Sequence, residues 1–518
     1  MNIKKLIALL LCVVCVLSTA TLLASCNNTG TSDNGENNGN SNNGTGDVDT
    51  SVDTSNTVPG FDVSEIDYDG YEFSIFICNR SARTPNDFAA DDKDESAMGI
   101  ASYKRTLRME ENYGVKIYVE EFLNSNVDTM TARAQSEMDT QLSSNTNIWD
   151  MGIFCTYAAA PLTTAGYLYD LNAIPYLDLS KTYWDQTIVE GLTLADSIYY
   201  VCGDISTTVN DYMYCTVFNK DMYKQYVQDG TDVYELVAEG DWSLDDLSRL
   251  SKLVTDGDKN GDGQYTCVDK FGLMTWYDEM YASVQAAGGR VAKITDDGKI
   301  ELCLNTERNF DVMIKYCDIQ ALPTTINFQS TTANNVPNPQ MTGERGWPAI
   351  FSEGDAMFFM TLINEVDRFR DSDIEYGILP NPMYDKAQED WYCTFSAGLA
   401  SFVCVPSYQE DIDRTGTIIE LLAWEGVTTI TPGYYDKTLK GKLVKDDESI
   451  DSLTIILDNK FADIGHYYRV GKLNTAMWSV SRNGTAGSFA SQYAANLPAA
   501  EADINSINEA MQNLKLAN

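Results

Sequence analysis

Apolar and polar positions change rhythm along this chain. Residues 7–17 form an apolar run behind Lys4 and Lys5, whereas 27–58 hold no aromatic residue and no Leu, Ile or Met. From residue 61 onward apolar positions recur every second place or every third to fourth, as core-facing strands and helices require. Residues 71–78 read as a strand, and 95–113 as a helix with Gly114 where a left-handed cap is wanted. Val115, Ile117 and Val119 alternate as a second strand. Asp128 is placed to cap a helix whose Met130, Ala134, Met138 and Leu142 recur every four residues, and 149–154 is a short apolar run. This order, β-α-β-α-β, predicts a mainly parallel sheet with helices on its faces.

The alternation resumes after a break at Gly203 and Asp204, with a strand over 212–218 and a helix over 220–227. Ser243 and Asp246 form a capping box for a helix carrying Leu244, Leu247, Leu250 and Val254 on one face. Residues 418–424 read as a buried helix, and Ile504, Ile507, Met511 and Leu514 mark an amphipathic closing helix. The body is longer than one hydrophobic core usually organises, so two lobes are expected. No internal repeat is visible.

The first apolar run is too short to span a membrane, and with its lysines and small residues it reads as a secretory signal. Leu23, Ala24, Ser25 and Cys26 resemble the lipobox of bacterial lipoproteins, which implies acylation of Cys26, a palmitate-type anchor, and cleavage after residue 25. Residues 26–60 then form the lipidated cysteine and a tether too polar to bury a core. As a coil of ~32 residues the polar stretch has a reach of roughly 30 Å. The body is expected at the extracellular face of the membrane, anchored and not spanning it.

The formal net charge of −40, from 36 basic and 76 acidic residues, makes nucleic acid and anionic lipid surfaces improbable partners. Of twelve cysteines, Cys12, Cys15 and Cys26 lie in the leader region, and the odd remainder shows no C-x-x-C pair. That favours buried thiols over a disulfide framework or zinc site, with Cys202 and Cys215 a candidate pair through nearness in the chain alone. His466 is the only histidine, set among aromatic residues as a core histidine would be, and no nucleophile elbow, phosphate loop or dinucleotide fingerprint is present. An enzyme is therefore not expected. A pair of carboxylates acting in glycoside hydrolysis stays open, since sequence gives no distances.

The loop 256–269 carries a second motif. With Asp258 as position one, Asn260 falls at three, Asp262 at five, Gly263 at six, Gln264 at seven and Asp269 at twelve. Those are the places where a calcium loop of the EF-hand kind needs oxygen ligands and a turning glycine. Asp at the twelfth place resembles the loops of dockerins. A structural Ca²⁺ ion is expected, and a polar turn without metal is the alternative.

The segments "RMEENYGVKI" (108–117), "AGYLYDLNAIPYLDLS" (165–180), "SIYYVCGD" (197–204), "TVFNKDMY" (216–223), "LVAEGDWSLDDLSRL" (236–250), "FSEGDAMFFM" (351–360) and "YGILPNP" (376–382) occur in an order that resembles the solute-binding lipoproteins of bacterial ABC importers. The likeness is to the family 1 group that includes maltodextrin-binding proteins. It implies an α/β, two-lobed periplasmic-binding-protein-like fold of type II, each lobe a mainly parallel sheet flanked by helices, with a ligand cleft between. It places the N-terminal lobe over 61–205 plus about 396–445, and the C-terminal lobe over about 206–395 plus 446–518. It implies a monomer that delivers its ligand to permease subunits.

Thirty Tyr and eight Trp suit sugars, whose C–H faces pack on flat rings. Asn79 and Arg80 after the first strand, Tyr157 after the third and Asp204 at the crossover are candidate contacts by their place at strand ends. By motif position the resemblance adds Trp276, Trp347 and Trp478, and reads Trp242 as structural. Carbohydrate, most simply an oligosaccharide, is the expected ligand; a surface peptide-binding or sensor protein is the alternative.

Overall fold

Where the apolar alternation is strongest, the chain builds its first sheet. The structure, a computed structural model, describes residues 58–80, 87–88, 92–263, 265–329, 347–437, 444 and 446–517. The leader, Cys26, nearly all of the tether and Gln264 lie outside these. Strand β1 (Tyr71–Asn79) pairs in parallel with β2 (Val115–Leu123) and with β3 (Met151–Cys155). Helix α1 (Ala97–Tyr113) joins the first pair, its start capped by Ser96 Oγ, which accepts from Gly99 N at 3.0 Å. It stops at Gly114, whose φ of 63° and contact with Asp67, 2.3 Å from where a Cβ would stand, leave room for glycine alone.

Helix α2 (Val127–Ser144) is capped by Asn126, whose Oδ1 accepts from Thr129 N at 2.9 Å, and not by Asp128. Asp128 lies inside the first turn and pairs with Arg469 at 2.8 Å. Met130, Ala134 and Met138 are buried, but the stripe then passes to Gln141 and leaves Leu142 48% exposed. A strict four-residue spacing overshoots a 3.6-residue turn, so the buried face falls one place earlier by the third step. Helix α3 (Thr156–Thr164) leaves the end of β3 directly.

The second sheet begins with β4 (Tyr214–Asn219). Helix α4 (Leu244–Ser251) follows, capped by Ser243 and burying Leu244, Leu247 and Leu250. Next come β5 (Phe271–Thr275), α5 (Glu279–Ala286), a hairpin of β6 (Ala292–Ile294) and β7 (Ile300–Leu302), α6 (Glu307–Gln320), β8 (Thr325–Asn327), β9 (Ala356–Leu362) and β10 (Tyr376–Leu379). The order is β10-β4-β9-β5-β8. Here the expectation of a mainly parallel sheet needs correction: β5 runs parallel to β9 and β8, but β4 runs antiparallel to both β9 and β10. Strand β4 enters this sheet from the passage at Met213, and there runs against β9 and β10.

Strand β11 (Ser401–Cys404) returns to the first sheet, antiparallel to β3, giving the order β11-β3-β1-β2. Between the sheets three passages lie side by side: Met213 bridges Phe395, and Cys393 bridges Lys460. Helix α7 (Ile412–Thr428) buries its apolar face, and α8 (Leu473–Asn483) and α9 (Phe489–Ala517) close the chain. Trp242 is fully buried with Nε1 donating to Pro380 O. No disulfide joins any of the nine described cysteines, Cys202 and Cys215 included; eight are buried and Cys303 is half-exposed. Among the described residues no helix is long and apolar enough to cross a membrane.

Candidate functional site

Strand ends from the two sheets face one another. At the end of β1, Asn79 is buried and its Oδ1 accepts from Arg80 N at 2.8 Å, while Arg80 Nε donates to Ser125 O at 3.1 Å. At the end of β5 stand Trp276, Tyr277 and Asp278. Burial raises the Asp278 carboxyl, and hydrogen bonds from Tyr281 and Trp478 and the charge of Arg80 work the other way. The charge of Arg80 at one sheet thus acts on a carboxyl at the other.

Tyr157, at the start of α3, sits in the same place. Its hydroxyl lies 3.0 Å from His466 Nε2 and accepts from Asn474 Nδ2 at 3.2 Å. The guanidinium of Arg469 covers its ring at 4.8 Å. His466 is buried, its ring 4.6 Å from that of Tyr281, whose hydroxyl is 2.9 Å from the Tyr214 hydroxyl. Burial, and secondarily the Arg469 charge, hold His466 down to about 3, so it is neutral near pH 7. Its Nδ1 and Asn474 Oδ1 are buried with no hydrogen-bond partner among the described residues. Such atoms are costly unless something bonds to them.

Beside this polar group, joined to it through Tyr214 and Tyr281, runs a row of aromatic rings. Trp276 and Phe328 stack at 5.8 Å and 20°, and Phe328 and Trp347 at 5.1 Å and 27°. Trp276 also meets Tyr214 at 5.9 Å, and Trp478 meets Tyr277 edge-on at 5.0 Å. Trp276, Phe328 and Trp478 are partly exposed; Trp347, 9% exposed, packs on Phe359 as well and lies at the buried end of the row. Behind Trp276, Glu279 is fully buried with both oxygens engaged, accepting from Trp276 Nε1 at 2.9 Å and Asn381 Nδ2 at 2.8 Å.

Arg80, Tyr157, Trp276 and Trp478 therefore converge, Asn79 supports Arg80 from below, and Trp347 ends the aromatic row. Asp204 does not join them. It lines a separate cavity of about 410 Å³ with Tyr183, Asp185 and Lys460, accepts from Thr431 Oγ1 at 2.6 Å, and is pushed up to about 6 by burial. A strand end marks the cleft only where the strand points into it, and Asp204 packs instead against Gly426 of α7. Sequence reasoning missed Tyr214, Asp278, Glu279, Tyr281, Phe328 and Asn474; His466, read as a core histidine, is buried among aromatic rings. The density of aromatic and acidic residues in 276–281, straight after an apolar strand, was the available signal.

In the acidic loop, Asp258 accepts from Gly261 N at 2.7 Å through one oxygen and from Gly263 N at 2.8 Å through the other. Asn260 Nδ2 donates to Asp262 Oδ2 at 2.9 Å, and the buried Asp269 accepts from Lys259 N at 3.0 Å and Thr266 N at 2.7 Å. Among the described residues no three His, Cys, Asp or Glu side chains are gathered as a metal site would gather them. The loop is held by its own amides.

No protein-family model and no curated protein matches the chain. Solved structures do match. A maltose-binding periplasmic protein of Listeria monocytogenes, in complex with maltose, is 15% identical over 86% of this chain and 99% of its own, with a TM-score of 0.52. A cyclic α-maltosyl-1,6-maltose binding protein of Arthrobacter globiformis is 12% identical over 85% and 99%, with a TM-score of 0.52. An ABC substrate-binding protein of Listeria monocytogenes, in complex with cycloalternan, is 14% identical over 86% and 100%, with a TM-score of 0.50. The chain shares with these its fold: two α/β lobes joined by crossing segments.

Proposed function

We propose that this protein captures a carbohydrate in the cleft between its two sheets and releases it unchanged to the permease of an ABC importer. The observation that carries this reading is the aromatic row Trp276–Phe328 beside the polar group Tyr157–His466–Asn474. Flat rings take the C–H face of a sugar, and neutral donors and acceptors take its hydroxyls. Solved proteins of the same fold hold maltose and cycloalternan. The two carboxyls of the cleft loop do not suit hydrolysis, which needs a pair reaching the substrate from two sides. Glu279 has both oxygens engaged behind Trp276, which leaves Asp278 as the member that reaches the cleft.

The groups named all come from one chain, and the reading takes the protein as a monomer. Acylated Cys26 and the polar segment after it hold the body near the outer face of the membrane. Cys26→Ala should release a folded body into the medium, and fatty acid still attached to that variant would remove the anchor.

A panel of oligosaccharides tests the main reading. At least one should raise the melting temperature, bind by calorimetry and be recovered intact after long incubation. Cleaved sugar, lost on Asp278→Asn, would make the protein a glycoside hydrolase; binding of peptides alone would move the ligand class.

A further inference from the structure

We propose that Glu279 is a positioning residue for the cleft: its carboxyl fixes the plane of the Trp276 indole, and its protonation state sets how firmly that ring is held against a stacked ligand. This rests on the carbohydrate reading for its consequence, though not for its geometry.

A tryptophan after a strand end has no reason of its own to hold one orientation. Trp276 is flanked by Tyr214 on one side and Phe328 on the other, and ring contacts alone permit sliding in the plane. The bond from Nε1 to Glu279 Oε1 at 2.9 Å removes that freedom. Glu279 is itself fixed: Asn381 Nδ2 donates to its other oxygen at 2.8 Å, and Asn381 Oδ1 accepts from Thr216 Oγ1 at 2.9 Å. The chain Trp276–Glu279–Asn381–Thr216 thus anchors a cleft ring to the middle of β4.

The carboxyl is fully buried, and among the described residues no cation pairs with it. Burial raises it to about 8, opposed by the bonds from Trp276 and Asn381 and assisted by the charge of Asp278. The other groups that face it are Tyr214 and Cys215 from β4 and Tyr316 from α6, all raised well above their ordinary values by burial and so protonated throughout this range. Ionised, Glu279 accepts from both partners, and bonds to a charged acceptor are about twice as strong as neutral ones. Protonated, one oxygen becomes a donor facing the Asn381 amide N–H, so the amide must turn over and Trp276 keeps a weaker, neutral bond. The ring is held most firmly at alkaline pH.

The indole N–H signals of the ¹⁵N-labelled full chain, with Trp276 assigned through Trp276→Phe, test this without any ligand. Between about pH 6.5 and about pH 9.5 the Trp276 signal should move with a midpoint near the carboxyl's own. In Glu279→Gln, an isostere whose amide still accepts from Trp276, the signal should persist and stop moving. Maltose affinity should rise several-fold over the same range in the wild type and stay flat in the variant. A Trp276 signal that does not titrate in the wild type, or that titrates unchanged in Glu279→Gln, overturns the assignment. A titrating signal in a protein that binds no sugar keeps the clamp and overturns the carbohydrate reading.

Discussion

The Tyr157 hydroxyl stands 3.0 Å from His466 Nε2, which ties the helix leaving β3 to a segment that follows the last passage between the sheets. Asn474 donates to the same oxygen at 3.2 Å, so one hydroxyl serves two partners from the C-terminal part of the chain.

Removing that hydroxyl should cost more than one hydrogen bond. Tyr157→Phe leaves His466 Nε2 and Asn474 Nδ2 without their shared partner, and a buried unsatisfied group costs about 1–3 kcal/mol. A fall of that size in denaturant melts is expected, with ligand affinity lowered as well. Unchanged stability would mean that the two groups find other partners.

His466 offers a clean pH test because it is the only histidine. Its folded value, about 3, lies below the ordinary 6.5, so the unfolded chain binds the proton first. The stability it contributes is whole above about pH 6.5 and is lost as pH falls toward 3, by about 1.4 kcal/mol per unit at most. His466→Gln should flatten that part of the acid limb. The imidazole proton resonance should show no titration between about pH 5 and about pH 8; a midpoint near 6.5 would place the ring in water.

Trp276 and Trp347 should part company. Trp276→Ala removes a partly exposed cleft ring and should weaken sugar binding by a few kcal/mol, as loss of an aromatic anchor does, with a smaller effect on the unliganded fold. Trp347→Ala opens a hole beside Phe328 and Phe359 and should cost about 3–5 kcal/mol of stability. Calorimetry and urea melts on both variants decide it; the opposite assignment of losses would place Trp276 in the core.

Calcium should raise the melting temperature through the loop 258–269. At ~100 times the dissociation constant the gain would be roughly 2.7 kcal/mol, and Asp262→Ala, at an exposed position, should abolish it. If added calcium and chelator leave both proteins melting alike, the amides that already bond Asp258 and Asp269 are the loop's whole purpose.

Local features were readable from the sequence and distant pairings were not. The span of β1, the glycine stop of α1 and the start of α4 each follow from a few neighbouring residues, and the structure shows all three. Asp128 misled because a capping residue is identified by its backbone conformation, and Asn126 two places earlier holds the extended one. Arg80, Tyr157 and Trp276 stood out because each ends an apolar run. Their partners could not be read: Glu279 meets Asn381 from 102 positions away, and Tyr157 meets His466 from 309. Phe328 follows a strand of three residues, too short for periodicity to register. Asp204 shared the outward signs of a cleft residue and lies elsewhere, because composition says nothing about the direction in which a chain turns.

The cysteines give the fold an unplanned gauge. Among the nine described cysteines eight thiols are shielded by packing and one is half-covered, so of this set a thiol reagent applied to the native protein should mark Cys303 slowly and little else. Any molecule that opens presents the whole set at once. Within these nine, labelling then proceeds in two classes, one site or all of them, and the ratio of the two counts opened molecules directly. Opening in an oxidising medium would also be hard to reverse, because thiols that never pair in the native protein become available to pair wrongly.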